Sequence, residues 1–540
     1  MTAFVSAWAG VGDDAHVAVA ASAAAAESVS ANVPTLVADE IASKIAAGDA
    51  TLWGPEAEAE SAIRLGWTSL HDTTREILPE LTKLVADLKS EGKTHVVLCG
   101  MGGSSLGPEV ITRTAGVPLV VLDSTDPDQV RGALAGDLKS TVVVVSSKSG
   151  GTVETDSQRR AFEAAFTDAG LDPAEHIVIV TDPGSPLEKA SREAGYRAIF
   201  LADPNVGGRF SVLSAFGIVP SALAGVDVEG LLDEAAAVAE FYAEDSEANP
   251  ALVLGAAMAA KGRPNLIFSD DGSGIVGLAD WAEQLIAEST GKAGVGLLPV
   301  VTEGNAPEIG LPDVLDVRLV TLAEEPSEGD IAVGGTLGAQ FLLWEYATAI
   351  VSRIMEISPF DQPNVESAKV AARGLLDATP EPVPAAFVDD GIEVRATDGL
   401  LDGVTTTAEA VAALESTLGA DGYLAVMTYL DREEHAEFAG VRDAIASRVN
   451  RPVTFGWGPR FLHSTGQLHK GGALVGAFLQ ITGSFADDLS IPDRPFSFGT
   501  LISAQATGDA DVLAGLNRPV LRLNLTDVSQ LKTLQAILEA

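Results

Sequence analysis

"VVVVSSKSGGTVETDSQ", residues 142–158, sets four valines against two serines, a lysine, a serine, a glycine pair and a Thr-x-Glu-Thr that starts a helix. An unbroken valine run is the mark of a strand buried on both faces, as in a parallel sheet. A strand that ends in small polar residues and hands over to a helix start is where open α/β sheets hold anions, because free N–H groups and the helix dipole point there. Lys148 would add one cation among hydroxyls. Working outward, "THVVLCGMGG" (94–103), "PLVVLDS" (118–124) and "HIVIVTDPGSP" (176–186) repeat the strand pattern at helix-sized intervals. The spacing predicts a doubly wound parallel domain over 91–225.

The same reading extends to the rest of the chain. Residues 1–90 are expected to be helical, from an Ala-rich start through "SAIRLGWTSLHDTTREILPELTKLVADLKSEG", whose apolar positions recur at three and four. A second alternation runs through "PNLIFSDD", "VGLLPVVTEG" and "VLDVRLVTLAEE", giving a second unit over 226–378 whose end, from 335, is helical. "DATPEPVPAAFVDDG" (377–391) is a candidate linker, and an α/β segment with strands at "GYLAVMTYL", "PVTFGWG", "GAFLQITG" and "PVLRLNL" fills 379–540. The fold class is α/β.

Composition narrows the partners. A chain of 540 residues with a formal net charge of −42 has no basic stripe with which to displace counterions from nucleic acid or to sit on an anionic membrane. A site for an anionic small molecule is therefore a local exception. Cys99 is the single cysteine, so no internal disulfide forms and no thiolate cluster can hold a metal. A reducing, cytoplasmic setting follows as the expectation. The N-terminus lacks a basic n-region, and Asp13 and Asp14 interrupt its apolar run, so it is not read as a signal peptide.

"GMGGSSLGPE" (100–109) closes the first strand of the 91–225 domain with glycines that allow close backbone approach and with Ser104 and Ser105 as hydroxyl donors. Alone it fits a dinucleotide loop, a phosphosugar loop or a tight turn. Its spacing is not G-x-G-x-x-G and no Walker lysine follows. Ser147, Lys148, Ser149 and Thr152 add hydroxyls, N–H groups and one cation around a helix start, which suits a single phosphate on a small molecule. Glu154, on the first turn, reads equally well as a capping carboxylate.

The motifs "GMGGSSLGPEV", "SSKSGGTVET", "NVGGRFSVLSAFGIVP" (205–220), "WAEQLIAESTGKAGVGLLP" (281–299) and "ISPFDQPNVESAK" (357–369) occur in the order in which similar segments occur in the glucose-6-phosphate isomerase family. That resemblance implies two doubly wound sugar-isomerase domains. It also implies reversible interconversion of glucose 6-phosphate and fructose 6-phosphate through an enediol, in glycolysis and gluconeogenesis, by a homodimer without cofactor or metal. It implies Glu288 as the carboxylate that carries a proton between C1 and C2, and Arg209 as the cation beside the developing enediolate. Lys369 would serve ring opening and Gln362 substrate contact. Gly103, Ser104, Ser147, Lys148, Ser149 and Thr152 would hold the phosphate. Apart from the resemblance, Glu288 and Lys369 read as ordinary helix-surface residues and Arg209 as half of a structural ion pair.

The ring-opening histidine departs from the family's order. No histidine occurs between 177 and 434, and a Leu-His-Ser-x-Gly-Gln segment appears instead in "GPRFLHSTGQLHKGG" (458–472), after Lys369. This order resembles the isomerase part of the actinobacterial transaldolase/glucose-6-phosphate isomerase fusions and makes His463 the candidate; His469 and Lys470 stand behind it as second choices. Two other readings belong to the same motifs: a non-catalytic phosphosugar-binding protein, and a related isomerase with mannose 6-phosphate activity. The joint presence of Glu288, Lys369 and Arg209 argues against pure binding, which needs no proton shuttle.

Overall fold

The computed structural model describes residues 4–12, 15–304, 306–321, 329–378 and 383–540. Its first two strands, β1 (Phe4–Val11) and β2 (Ala15–Ser22), form an antiparallel hairpin where the alanine content predicts helix. Alternation explains the correction. Along β2, Val17, Val19 and Ala21 enter the main core while Ala18 and Ala20 face the opposite side of the sheet. Alanine's helix preference is worth only tenths of a kcal/mol per residue over most alternatives, less than a ladder of hydrogen bonds plus burial on both faces. From Ala23 onward the helical expectation holds, with helices at Ala23–Ala38 and Leu78–Ser90 among others.

Five parallel strands make the first sheet: β3 (His95–Gly100), β4 (Val120–Leu122), β5 (Thr141–Ser146), β6 (Ile177–Thr181) and β7 (Ala198–Leu201). Their order is β4-β3-β5-β6-β7. Every residue of β5 is buried, which is what its valine run requires. The chain leaves β3 in one direction and returns to β5 on the other side, so a crevice opens between the carboxyl ends of these two strands. Gly100 and Ser146 are paired at that edge.

The second sheet contains β8 (Asn265–Asp271), β9 (Leu298–Thr302), β10 (Val314–Val320) and β11 (Ile331–Gly335), in the order β9-β8-β10-β11, with the β2–β1 hairpin added beyond β11. The third contains β12 (Phe387–Asp389), β13 (Ile392–Ala396), β14 (Tyr423–Tyr429), β15 (Val453–Trp457), β16 (Gly476–Gly483) and β17 (Val520–Leu525). Its order, β12-β13-β17-β16-β14-β15, repeats the plan of the second: four parallel strands and an antiparallel hairpin that precedes them in the chain. The expected C-terminal α/β segment is thus a third doubly wound unit. Of the candidate linker, residues 379–382 lie outside the described residues. The helix before it, Val365–Ala378, packs on the helix Phe498–Gly515 of the third unit.

Candidate functional site

The glycine turn after β3 is where the three units converge. Gly102 has φ +56, and a Cβ there would lie 2.8 Å from both the Gln284 amide nitrogen and the His463 carbonyl oxygen. A Cβ on Gly103 would sit 1.9 Å from the Gly208 carbonyl oxygen, so no side chain fits. Ser104 ends the turn, half-buried. The turn therefore presses on the Arg209 segment, the Glu288 helix and the His463 segment at once.

The second loop follows β5. The Ser147 hydroxyl donates to Thr152 Oγ1 at 3.2 Å, and the Gly151 N–H donates to the exposed Ser149 hydroxyl oxygen at 3.3 Å. Thr152 is the N-cap of the helix Val153–Asp168 but makes no side-chain cap, which leaves hydroxyls and first-turn N–H groups turned to an open space. Lys148 does not point there. Its ammonium pairs with Asp182 on the loop after β6. Burial, with the nearby Asp203, keeps the Asp182 carboxyl above its ordinary value although Lys148 and Arg64 act to lower it.

Glu154 is no capping residue. Its Oε1 accepts from the Gln505 amide at 2.7 Å and faces His463 Nε2 at 3.0 Å. Burial acts to raise its carboxyl, yet the nearby His463 and its hydrogen bond, then the Glu154 backbone N–H and Lys369, outweigh that and hold it below its ordinary value. His463 arrives from the third unit, on the short 3-10 turn Arg460–His463 after β15, and its carbonyl accepts from Gln284 Nε2 at 2.6 Å. Ser149, Thr152, Glu154, Lys369, His463, Lys470 and Gln505 line one cavity of about 360 Å³. That size suits a small molecule, for which pockets run from roughly 300 to 1,000 Å³. In a chain of net charge −42 this cavity collects Lys369, Arg373 and Lys470.

A second group of charges adjoins it. Arg209, 4% exposed, places Nη1 2.9 Å from Glu288 Oε1 and donates to the Ser289 hydroxyl, to Gln362 Oε1 at 3.1 Å and to the carbonyls of Pro359 and Asp361. Gln284, one helical turn before Glu288, donates to Glu288 Oε2 at 3.1 Å as well as to the His463 carbonyl. One amide therefore joins the two groups. Lys292 ties the helix end to the 358–361 segment through the Ser358 carbonyl and Asp361 Oδ1, at 2.8 and 2.7 Å. Burial, then the nearby Arg209, bring its ammonium down to about 8.

Most of the expected residues are therefore brought together, in two touching sets. Ser149, Thr152, Lys369 and His463 line the cavity and Ser147 bonds to Thr152 behind it; Gly103 and Ser104 lie in the glycine turn packed on the Arg209 segment, and Arg209, Glu288 and Gln362 form the ion-paired group. Lys148 stands apart on Asp182. Of the second choices, Lys470 lines the cavity and pairs with Asp509, while His469 is buried against Tyr423, at 3.0 Å from its hydroxyl, and burial drives it well below its ordinary value. Gln284, Gln505 and Lys292 were not anticipated. Gln284 had a legible signal, the i,i+4 spacing to Glu288 on one helix face; Gln505 had none. Among the described residues no cluster of three or more His, Cys, Asp or Glu side chains is placed to hold a metal, and no helix is long and apolar enough to cross a membrane.

Residues 85–285 match the family model for phosphoglucose isomerase, a span that holds the loops after β3 and β5 and Arg209 and stops just short of Glu288. A glucose-6-phosphate isomerase of Synechococcus sp. (strain JA-3-3Ab) is 30% identical over 350 residues, 52% of this chain and 66% of the relative. One from Cyanothece sp. (strain PCC 7425 / ATCC 29141) is 36% identical over 212 residues, 37% and 40% of the two chains. The match thus spans just under two thirds, or less, of these relatives' length. Among solved structures, a hypothetical protein of Thermus thermophilus superposes with a TM-score of 0.55 at 26% identity, covering 65% of this chain and 96% of that one.

Proposed function

From a chain whose residues 85–285 are similar to the phosphoglucose isomerases, we propose an enzyme that interconverts glucose 6-phosphate and fructose 6-phosphate. The observation that carries the proposal is the Gln284 bridge: one amide holds the Glu288 carboxylate and the carbonyl of His463, so a proton-shuttle carboxylate and an imidazole–carboxylate pair share one site. The phosphate rests on the 147–152 loop, where hydroxyls and helix N–H groups receive it. His463, oriented by Glu154, and Lys369 move protons between the ring oxygen and the C1 hydroxyl to open the ring. Glu288 then removes the C2 proton of the aldose and returns it to C1 of the ketose. Arg209 faces the oxygen on which negative charge grows as the enediolate forms, a fixed cation that needs no reorganisation. The family likeness supports a cytoplasmic homodimer as the working form.

A coupled assay tests it: purified protein with fructose 6-phosphate and glucose-6-phosphate dehydrogenase, comparing wild type with Glu288→Gln and His463→Ala. Glu288→Gln is expected to lose roughly 10²-fold to 10⁴-fold in kcat, the usual worth of a positioned acid or base, while still binding hexose phosphate. Normal turnover by Glu288→Gln would end the shuttle assignment.

A further inference from the structure

Away from the cavity, two arginines of the third unit reach two carboxylates of the first. Arg432 follows β14 and Arg460 follows β15; Glu109 lies on the helix Leu106–Ala115 and Asp123 just beyond β4. Arg460 Nη1 is 2.9 Å from Asp123 Oδ2 and its Nη2 contacts Glu109 Oε2, while Arg432 approaches Glu109 Oε1 at 3.1 Å and Asp123 Oδ1 at 3.4 Å. Each carboxylate serves both guanidinium groups, a ring of two positive and two negative charges with none of the four side chains more than 14% exposed, and Arg432 also reaches the exposed Glu433 at 3.5 Å. Burial would raise Glu109, but Arg460 and Arg432 overcome it and hold the carboxyl at about 2. Breaking one member of such a buried set leaves the others uncompensated.

Arg460 opens the four-residue turn that ends at His463. The turn is fixed at its start to the first unit through Glu109 and Asp123, and at its end to the second through the Gln284–His463 bond. Glu154, the partner of the His463 ring, belongs to the first unit. We propose that Arg460 is a positioning residue for His463, locking the third unit onto the first so that the imidazole meets Glu154 at hydrogen-bond distance. The inference rests on the ring-opening role given to His463 above. A proton-transfer group displaced by about 1 Å loses on the order of 10²-fold in rate, so a ring of charges outside the cavity governs turnover through this one turn.

The test is a double-mutant cycle on kcat with glucose 6-phosphate: Arg460→Met and Arg460→Lys, each alone and combined with His463→Ala, with Arg432→Met as the control that breaks the same ring without touching the turn. The expected result is a kcat loss of at least tenfold in Arg460→Met, a smaller one in Arg460→Lys, KM within about twofold, and no further loss when either is added to His463→Ala, as coupled sites require. Arg432→Met lowers Tm but costs less kcat than Arg460→Met. If Arg460→Met does not fold, Arg460→Lys, which keeps the charge but not the forked geometry, carries the cycle. Equal fold-losses in both backgrounds, or a kcat loss in Arg432→Met as large as in Arg460→Met, overturn the positioning role and leave the ring-opening reading intact. Full activity of His463→Ala overturns the ring-opening reading itself, and Arg460 then has nothing to position.

Discussion

His463 Nε2 and Glu154 Oε1 lie 3.0 Å apart although 309 positions separate them in the chain. The carboxylate is buried and would be costly there without a partner. The imidazole supplies that partner, and the Gln505 amide completes the carboxylate's bonding.

Glu154→Gln is therefore expected to lower kcat on cyclic glucose 6-phosphate by about tenfold to a hundredfold, within the range a positioned acid–base pair contributes. An amide neither holds the ring nitrogen as an acceptor of fixed charge nor stabilises its protonated form. Steady-state kinetics checks it; an unchanged kcat would detach Glu154 from the reaction.

Lys292 makes an alkaline limb. Its ammonium, flanked by Arg209, Asp361 and Glu288, releases its proton near pH 8. Above that pH the charge that ties Asp361, and with it the segment bearing Gln362, is gone, so kcat/KM is expected to fall with a midpoint of about 8. Lys292→Arg, with its higher intrinsic value, moves this limb upward. Stability runs the other way: between about 8 and the ordinary lysine value of 10.5 the unfolded chain binds the extra proton, so this group's contribution to stability rises with pH. Activity falling while Tm holds is the signature; a parallel fall of both would refute the assignment.

Gly103→Ala puts a methyl 1.9 Å from the Gly208 carbonyl, a backbone atom that cannot step aside alone. A cost of about 1–3 kcal/mol is expected for such overpacking, read as a lower denaturation midpoint, together with weaker hexose phosphate binding because the turn abuts Arg209 and His463. Wild-type stability in this variant would show the turn to be looser than its geometry.

Lys148→Ala tests whether the lysine leaves Asp182 for the ligand. A charge-assisted bond to phosphate is worth about 1.5–3 kcal/mol, so affinity for fructose 6-phosphate is expected to weaken by about tenfold to a hundredfold, measured by calorimetry. Unchanged affinity would assign Lys148 to the Asp182 pair alone.

What could be read in advance follows physical scale. The buried valines of β5, the glycine turns and the strand-to-helix handovers are local patterns, and they locate the crevice of the first sheet. Arg209 and Glu288 were reachable because they sit inside extended motifs. The β1–β2 hairpin was not, since alanines favour helix until a neighbouring edge such as β11 claims them. Nor was the fate of Lys148, decided by Asp182 on another loop, or of Glu154, whose partner stands on a turn of the third unit. Contacts between distant segments leave no trace in spacing.

The third unit repeats the second unit's strand plan, yet it delivers the imidazole that faces Glu154 in the first. A polypeptide severed ahead of β12 would retain the glycine turns, Arg209, Glu288 and Lys369, but the buried Glu154 carboxylate would lose both the Gln505 amide and the His463 ring. The tail thus supplies the hydrogen-bond partners of a carboxylate buried in the head, and neither portion is complete without the other.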